Sequence, residues 1–431
     1  MLAAKAEAPQ MTEAAHRASF FRQSGWLMIA NVAGGALMWA VHFLNRALPS
    51  GEYGLFVAYL AIVMSIPTIP LQMAMAHQTA RALAVNRRGE LAGMIRLLWF
   101  GTLLLWLAGA VGVWIFRQPI LQHWKLNDLT GIWLTMGAVL LSLWLPMFWG
   151  MLQGQQSFLS WGWSMIVNAI GRFGLAVIVV FAIRNRASQP EFGAYAAGLT
   201  LAVVFGLTVA VAVAAWPTRS LWLRHSLPFD WSDLLKEVIP LMLGFAAFQF
   251  LFTADTMFVT SYFTHEQVDS YGGAGTLSRA LIWLVGPLAA VMFPRIVHSE
   301  AKAQKTDLMG LVLIGTAVLA IAGALSLFVL GPWVVKLVFK PQLVKVVSTI
   351  LPWYAFAMVP LAVSNVLLNN LLARSSYKIV LPLIILAAGY AFALTRFHET
   401  LVTVLKTLGT FNLLLFLICA WFTWGRKVQS P

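Results

Sequence analysis

The sequence predicts an all-α polytopic membrane protein with about twelve transmembrane helices, arranged as two six-helix lobes around a central cavity. Hydrophobic residues make up 60% of the 431 positions and charged residues 10%, whereas charged residues are about a quarter of an ordinary soluble domain. Apolar stretches of about 20 residues recur along the whole chain. This pattern is typical of membrane helices rather than of the short alternating segments of a β-barrel.

The predicted spans follow one another along the chain with short connections. They lie at 24–45, 54–76, 94–116, 130–152, 160–183, 193–216, 238–263, 271–294, 308–330, 348–373, 379–396 and 401–424. The first span is too long for the core of a signal peptide and is expected to stay in the protein. We expect residues 1–23 to form an amphipathic segment on the cytoplasmic surface, and residues 425–431 a cytoplasmic tail.

The chain is basic, with a formal net charge of +14. Basic residues flank membrane helices because they orient them, so this charge does not indicate a nucleic-acid partner. More of them fall on the side that would hold both termini, which predicts that the termini are cytoplasmic. The single cysteine, Cys419, allows no intramolecular disulfide and suggests no thiol chemistry.

The two halves of the chain are related by a weak repeat. The longest predicted connection, 217–237, separates an N-terminal lobe at 24–216 from a C-terminal lobe at 238–424. Gly-Glu-Tyr-Gly at 51–54 opens the second span, and Asp-Ser-Tyr-Gly at 269–272 opens the eighth. Because an even number of spans separates the copies, the lobes are expected to be parallel repeats related by an axis along the membrane normal.

Prolines follow each copy of the repeat at comparable places. Pro67 and Pro70 lie in the second span, and Pro287 and Pro294 lie in the eighth. Proline interrupts the hydrogen-bond ladder of a helix. We therefore predict kinks at matching places in the two lobes, where they could help the lobes rock.

Three charged side chains fall inside otherwise apolar spans: Arg172, Asp255 and Arg279. Such a charge costs about 2.5 to 3.5 kcal/mol on insertion scales and usually faces a protein interior or a wet pathway. Asp255 and Arg279 are equally far from Gln267, the centre of a short interhelical loop, so an ion pair between them is plausible. That pair could be a structural latch or a functional site that couples transport to proton movement.

Arg172 ends a polar stripe in the fifth span. Ser164, Asn168 and Arg172 recur every four residues and therefore share one helix face. One interpretation is that this face lines a substrate cavity. The other is that Arg172 pairs with a carboxylate on another helix, for which Asp255 is the only intramembrane candidate.

Further polar side chains recur at helical spacing in other spans, and they are candidate cavity residues. They are Asn31, His42 and Arg46 in and beside the first span, Gln72 in the second, Gln249 in the seventh, and Asn365 and Asn369 in the tenth. One such stripe alone could simply hold helices together. Their joint occurrence favours an aqueous cavity, in which His42 is either a hydrogen-bonded interior histidine or a proton-coupling group.

The sequence offers no catalytic constellation. It has no His/Cys metal cluster, no nucleotide-binding glycine loop and no paired carboxylates near a membrane interface. We therefore expect neither enzymatic activity nor a cofactor or metal.

The chain resembles the polysaccharide (O-antigen-type) flippases of the multidrug/oligosaccharidyl-lipid/polysaccharide (MOP) superfamily. The similar motifs are Asn-Arg-Ala-Leu-Pro-Ser-Gly-Glu-Tyr-Gly-Leu-Phe at 45–56, Ala-Asp-Thr-Met at 254–257, Leu-Ser-Arg at 277–279 and Phe-Pro-Arg-Ile at 293–296. The similarity in spacing and hydropathy covers roughly residues 20–424. Twelve spans suit this branch better than the lipid II flippases, which carry two further helices and place cationic residues in the middle of the first two spans.

The resemblance implies a transporter of the bacterial inner membrane that works by alternating access. Its substrate would be an oligosaccharide linked to undecaprenyl pyrophosphate, moved from the cytoplasmic to the periplasmic leaflet for polysaccharide export. Arg172 and Arg279 would contact the pyrophosphate or acidic sugars. Membrane lipids, a polysaccharide polymerase and glycosyltransferases are the implied partners, and the coupling ion stays open between proton and sodium.

Two other functions compete with this prediction. A drug or cation exporter on the same scaffold would need an uncompensated intramembrane carboxylate, and the candidate, Asp255, has Arg279 opposite it. A non-transporting component of a polysaccharide secretion machine would need no cavity, and its Arg172 would face a helix contact or lipid.

Overall fold

The predicted all-helical, two-lobed membrane fold is confirmed. The computed structural model describes residues 13–186, 190–229, 232–301, 308–373 and 377–424. Residues 1–12 of the predicted surface segment 1–23 and the predicted tail at 425–431 lie outside these residues, while residues 13–23 belong to α1. The helices are α1 (Glu13–Ala40), α2 (Glu52–Met64), α3 (Ile69–Ala84), α4 (Arg88–Ile115), α5 (Arg117–Trp124), α6 (Thr130–Gly154), α7 (Phe158–Arg186), α8 (Ala194–Trp222), α9 (Ser232–Tyr262), α10 (His265–Ala301), α11 (Leu308–Val338), α12 (Pro341–Ala373), α13 (Val380–Arg396) and α14 (Leu401–Trp424).

Every predicted span coincides with helix. Ten segments of the described chain are long and apolar enough to cross a membrane, and α1 and α10 occupy the first and eighth predicted spans. The second span consists of α2 and α3 together, while α5 is a short additional helix between the third and fourth spans. A 3₁₀ segment, Val41–Ala47, continues α1 toward the first loop.

Helix α8 continues through Pro217 to Trp222, into the predicted connection at 217–237. The chain that follows α8 folds back onto α4, where the Leu227 amide donates to the Gly89 carbonyl at 3.0 Å. A side chain at Gly93 would collide with the Leu227 carbonyl oxygen, so the close approach requires glycine. This contact fixes the end of the N-terminal lobe.

The two copies of the repeat differ in how the backbone runs past their prolines. In the N-terminal lobe the chain leaves the helical conformation at residues 65–68, around Pro67, and a new helix begins with Pro70 in its first turn. Proline disfavours helix in the preceding residue but favours a helix start, so this close pair ends one helix and begins another. The backbone of α10 stays helical through positions 287 and 294, and the kinks expected there stay a prediction.

Small residues bring the helices of each lobe close together. In the N-terminal lobe a Cβ on Gly171 of α7 would lie 3.3 Å from the Gly206 Cα of α8. In the C-terminal lobe α12 is central and packs against α10, α11 and α14. Close backbone approach at small residues is how membrane helices gain packing energy without a hydrophobic driving force between them.

The loops of the protein lie at two opposite ends, the hairpin end and the terminal end. The hairpin end contains the loops at 48–51, 263–264 and 339–340. The terminal end contains the loops at 85–87 and 155–157, together with the end of α14.

Candidate functional site

The two lobes are fastened to each other at the hairpin end by Asp269. This residue lies in the first turns of α10, and its carboxylate accepts hydrogen bonds from the amides of Gly51 and Gly54, each at 2.7 Å. The first amides of a helix have no intrahelical partner and carry partial positive charge. An acid of the C-terminal lobe therefore caps α2 of the N-terminal lobe, and it is only 1% exposed.

A second acid caps a helix within the N-terminal lobe. Glu52 accepts from the Gly193 amide at 2.6 Å and from the Ala196 amide at 2.8 Å, at the start of α8. Neither Glu52 nor Asp269 was predicted as a site residue. The available signal was that each copy of the sequence repeat carries one acid next to a helix start.

Where the two copies of the repeat face each other, the backbones of the two lobes are in direct contact. A Cβ on Gly54 would lie 2.5 Å from the Val268 carbonyl carbon, and one on Gly272 would lie 3.5 Å from the Gly54 Cα. The equivalent glycines of the two repeats thus touch across the lobe boundary. We call this region, with the Asp269 contact, the seal.

Further hydrogen bonds cross the lobe boundary at the same end. Lys125 donates to the Phe263 carbonyl at 3.0 Å, Lys340 donates to the Leu48 carbonyl, and Arg46 donates to the Lys336 carbonyl. The hydroxyl groups of Tyr53 and Thr276 lie 3.1 Å apart.

Every inter-lobe hydrogen bond found in the described part of the chain lies at the hairpin end. Burial lowers the pKa of Lys340 below its usual value, and the nearby Asp269 opposes this shift. The state described here is closed at the hairpin end.

The structure brings Asp255 and Arg279 together inside the C-terminal lobe. The Arg279 Nη2 lies 2.7 and 2.9 Å from the two oxygens of Asp255 and 2.7 Å from the Thr256 hydroxyl, while Nε donates to the Phe252 carbonyl at 3.0 Å. Asp255 is fully buried and Arg279 is 7% exposed. The pair therefore satisfies its own charge within the lobe core.

Two tyrosines complete this network. Tyr271 donates to Asp255 at 2.8 Å, and Tyr354 donates to the same oxygen. A buried carboxylate with one guanidinium and two phenol donors is well solvated by the protein. In this conformation the charge of Arg279 and most of its hydrogen bonds are therefore already taken up by its own lobe, and it is poorly placed to bind a substrate.

Arg172 in the N-terminal lobe has no such compensation. It is partly buried, and its Nε is fully buried without a hydrogen-bond partner. Among the described residues no acidic side chain forms an ion pair with it. Its Cβ lies close to Gly206, where α7 and α8 approach each other. An unpaired buried arginine marks the N-terminal lobe as the place where an anion could be stabilised.

The rest of the predicted stripe on α7 lies in helix contacts. The Ser164 hydroxyl accepts from the Trp149 indole at 2.9 Å and donates to the Ala210 carbonyl at 2.9 Å. Asn168 is 5% exposed, and its side-chain oxygen lies near Gly206 of α8. The polar face is therefore real, but two of its three members pack against neighbouring helices.

His42 lies near Arg172. Its Nδ1 is 3.0 Å from the Tyr53 hydroxyl, it is 9% exposed, and it lies within electrostatic range of Arg172. Asn31, earlier on α1, is exposed, and the position one turn later, Gly35, has open space around it. Arg46 belongs to the hairpin end rather than to this group.

The other predicted cavity residues form separate pairs. Gln72 of α3 donates to Gln153 of α6 at 3.2 Å. Asn369 donates to the Asn365 carbonyl at 2.7 Å and to its side-chain oxygen at 2.9 Å, and both asparagines are half-buried. Gln249 is half-buried in α9. The structure does not bring these residues into one cluster.

The part of the chain that the structure describes contains no group of three or more histidine, cysteine, aspartate or glutamate side chains that could hold a metal ion.

Several solved structures share this fold. A lipid II flippase MurJ in an inward closed conformation gives a TM-score of 0.66 at 14% identity, over 92% of this chain and 86% of that chain. An inward-facing multidrug resistance MATE family transporter of the MOP superfamily gives 0.59 at 13% identity, over 93% and 94%. A MATE transporter of Vibrio cholerae gives 0.54 at 14% identity, over 95% and 98%. No curated protein matches the sequence.

The two-lobed helical fold is that of a multi-pass membrane protein, and it is shared with these MOP-superfamily transporters. The family described as "Lipid II flippase MurJ" matches residues 94–427, and this chain belongs to that family. It is therefore a transporter for a lipid-linked substrate. The superfamily predicted from the sequence is confirmed, while the polysaccharide branch stays a prediction.

Proposed function

We propose that this protein flips an oligosaccharide linked to undecaprenyl pyrophosphate from the cytoplasmic to the periplasmic leaflet of the bacterial inner membrane, for polysaccharide export. One observation carries the proposal: the N-terminal lobe holds a partly buried arginine, Arg172, whose Nε is buried without a hydrogen-bond partner and which forms no ion pair among the described residues. Family membership supports a lipid-linked substrate, and the unpaired charge supports an anionic headgroup.

The chemistry of the headgroup fits the charge of this lobe. A pyrophosphate cannot cross hydrocarbon unaided, because transferring a charged group into the bilayer centre is costly. The planar guanidinium of arginine can donate two parallel charge-assisted hydrogen bonds to a phosphate. The polyprenyl tail needs no such help and can remain in the bilayer.

The position of the seal supports a direction of entry. Loop charge favours cytoplasmic termini, which makes the hairpin end periplasmic. The described state, with its inter-lobe hydrogen bonds at that end, is then closed to the periplasm. A headgroup would enter from the cytoplasmic side and leave when the seal opens.

The cargo has a second candidate, lipid II itself, which the family match over residues 94–427 favours. Both cargoes share a polyprenyl pyrophosphate, so the same arginine serves either. A drug or cation exporter has less support, because Asp255 is occupied by Arg279. A non-transporting component of a secretion machine gives no reason for an unpaired buried Arg172.

The proposal is tested with purified protein reconstituted into vesicles that contain a lipid-linked oligosaccharide. A membrane-impermeant oxidant added outside the vesicles reacts only with sugars in the outer leaflet. The wild-type protein should speed the appearance of oxidisable sugar, whereas Arg172→Ala should lose most of this activity. Arg172→Lys should retain part, since it keeps the charge without the fork. Arg184→Ala, which removes an exposed arginine near the end of the same helix, is the matched control. Equal rates for wild-type protein and Arg172→Ala would exclude the proposed role of Arg172.

The same vesicles distinguish the cargoes. Faster flipping of lipid II than of other undecaprenyl-pyrophosphate glycans would replace polysaccharide export with cell-wall precursor transport. Transport of neither would remove the proposal altogether. We also propose that a polymerase and glycosyltransferases act beside this protein, which co-purification from membranes would check.

A further inference from the structure

Tyr53 is the side chain that connects the unpaired charge to the seal. It is 1% exposed and lies in the first turn of α2. Its hydroxyl lies 3.0 Å from His42 Nδ1 within its own lobe and 3.1 Å from the Thr276 hydroxyl of the other lobe. One phenol therefore joins a neighbour of Arg172 to the opposite side of the lobe boundary.

The packing of the Tyr53 ring supports the same connection. The ring lies edge-on to His42 with centroids 5.8 Å apart, and edge-on to Phe339 of the other lobe, also at 5.8 Å. Moving the imidazole would therefore disturb both the hydroxyl contact and the ring contact with the C-terminal lobe.

The equivalent tyrosine of the second repeat behaves differently. Tyr271 donates to Asp255, which belongs to its own lobe. Tyr53 and Tyr271 occupy the same place in the two copies of the repeat, but only the hydroxyl of Tyr53 bonds across the boundary among the described contacts. The N-terminal copy thus connects the site to the seal.

We propose that Tyr53 is a positioning residue that couples binding of the substrate's pyrophosphate at Arg172 to opening of the seal. This inference rests on the proposed function. The 3₁₀ segment that carries His42 packs against α7, the helix of Arg172, so an anion at Arg172 attracts the imidazole of His42 as a hydrogen-bond donor. When His42 turns toward the anion, Tyr53 follows its partner and gives up Thr276. The hairpin end loses one of the inter-lobe bonds beside the seal, and the loaded transporter opens at that end.

The test uses Val268→Cys as a reporter of the seal. Val268 is 4% exposed and faces Gly54, so a thiol there reacts with a maleimide only when the lobes separate. The natural Cys419 is fully buried and gives little background. Undecaprenyl diphosphate in detergent micelles is the probe, and its binding is measured separately by calorimetry on the same samples.

In the reporter background, the probe should raise the labelling rate about fivefold or more, the lower end of typical coupling between two sites. Tyr53→Phe keeps the ring and removes the hydroxyl. It should label faster without the probe, bind the probe with unchanged affinity, and lose the probe-dependent change. His42→Gln should lose the same change. Tyr59→Phe is the matched control, because Tyr59 is equally buried on α2 and stacks on Trp124 of its own lobe.

The outcomes separate this inference from the function on which it rests. If the unsubstituted reporter protein does not bind the probe, the proposed function fails and the coupling fails with it. If Tyr53→Phe binds the probe and responds like the unsubstituted reporter, only the coupling is overturned. Loss of probe binding in Tyr53→Phe would likewise overturn it, since Tyr53 would then be part of the binding site.

Discussion

The two lobes bury an arginine in opposite ways. In the C-terminal lobe Arg279 faces Asp255, and two tyrosines complete the network. In the N-terminal lobe Arg172 has His42 nearby and forms no ion pair with an acid among the described residues. The difference teaches that two lobes of similar fold can treat an intramembrane arginine differently: one neutralises it inside the lobe, and the other leaves a charge that an anion can neutralise.

The largest expected effect is in the neutral core. Asp255→Asn leaves Arg279 as an uncompensated buried charge, and breaking such a pair typically costs about 3 to 5 kcal/mol. We expect a large fall in the thermal unfolding temperature in detergent. Glu90→Gln, which breaks an exposed pair with Arg87 at 3.7 Å, should change it little. An Asp255→Asn variant as stable as wild type would contradict the structural role of the pair.

The double variant Asp255→Asn/Arg279→Gln sharpens this test. Removing both charges avoids the uncompensated arginine, so the double variant should be more stable than Asp255→Asn alone. A double variant that is less stable than both single variants would show that the two residues act independently.

The second expected effect concerns the seal. Asp269→Asn removes a charged acceptor that bonds two amides of the other lobe, and such charge-assisted bonds contribute about 1.5 to 3 kcal/mol each. Labelling of a cysteine at position 268 should rise because the lobes separate more often. Glu52→Gln is the matched comparison, since Glu52 caps α8 within one lobe. It should lower stability without raising the labelling; equal labelling of the two variants would argue against an inter-lobe role for Asp269.

The third effect has the opposite sign from the first. Arg172→Met removes an unpaired buried charge and keeps an unbranched side chain, so its unfolding temperature should equal or exceed that of wild type. Arg279→Met should be clearly less stable than wild type, because it leaves Asp255 without its guanidinium. Equal losses of stability in the two variants would contradict the view that Arg279 has a stabilising acidic partner and Arg172 has none.

The smallest expected effect is at the edge of the seal. Lys340→Met removes the bond to the Leu48 carbonyl, but this lysine is only partly buried. An exposed charged contact typically contributes about 0 to 1 kcal/mol. Labelling at position 268 should therefore rise less than in Asp269→Asn. A larger rise would show that Lys340 contributes more than Asp269 to holding the lobes together.

Much of the fold could be read from the sequence because hydropathy fixes membrane spans directly. Every span was located, and the equal distance of Asp255 and Arg279 from one loop was enough to bring them together. The break between α2 and α3 was not predicted, because a proline's effect depends on its neighbours: Pro70 begins a new helix after Pro67, whereas the backbone of α10 is helical at positions 287 and 294.

The site was harder to predict for a different reason. Helical spacing shows that Ser164 and Asn168 share a face, but not which helix covers that face. Contacts with α6 and α8 now occupy Ser164, and Asn168 lies against α8. The roles of Asp269 and Tyr53 depend on the contact between lobes, which no local pattern of residues reveals.

The bare backbone at Gly54 offers a practical means of trapping the protein. A methyl group at this position would clash with the backbone at Val268 and push the two lobes apart. A Gly54→Ala protein is therefore a candidate for capturing the conformation open at the hairpin end, in which an exit route for the headgroup could be seen directly.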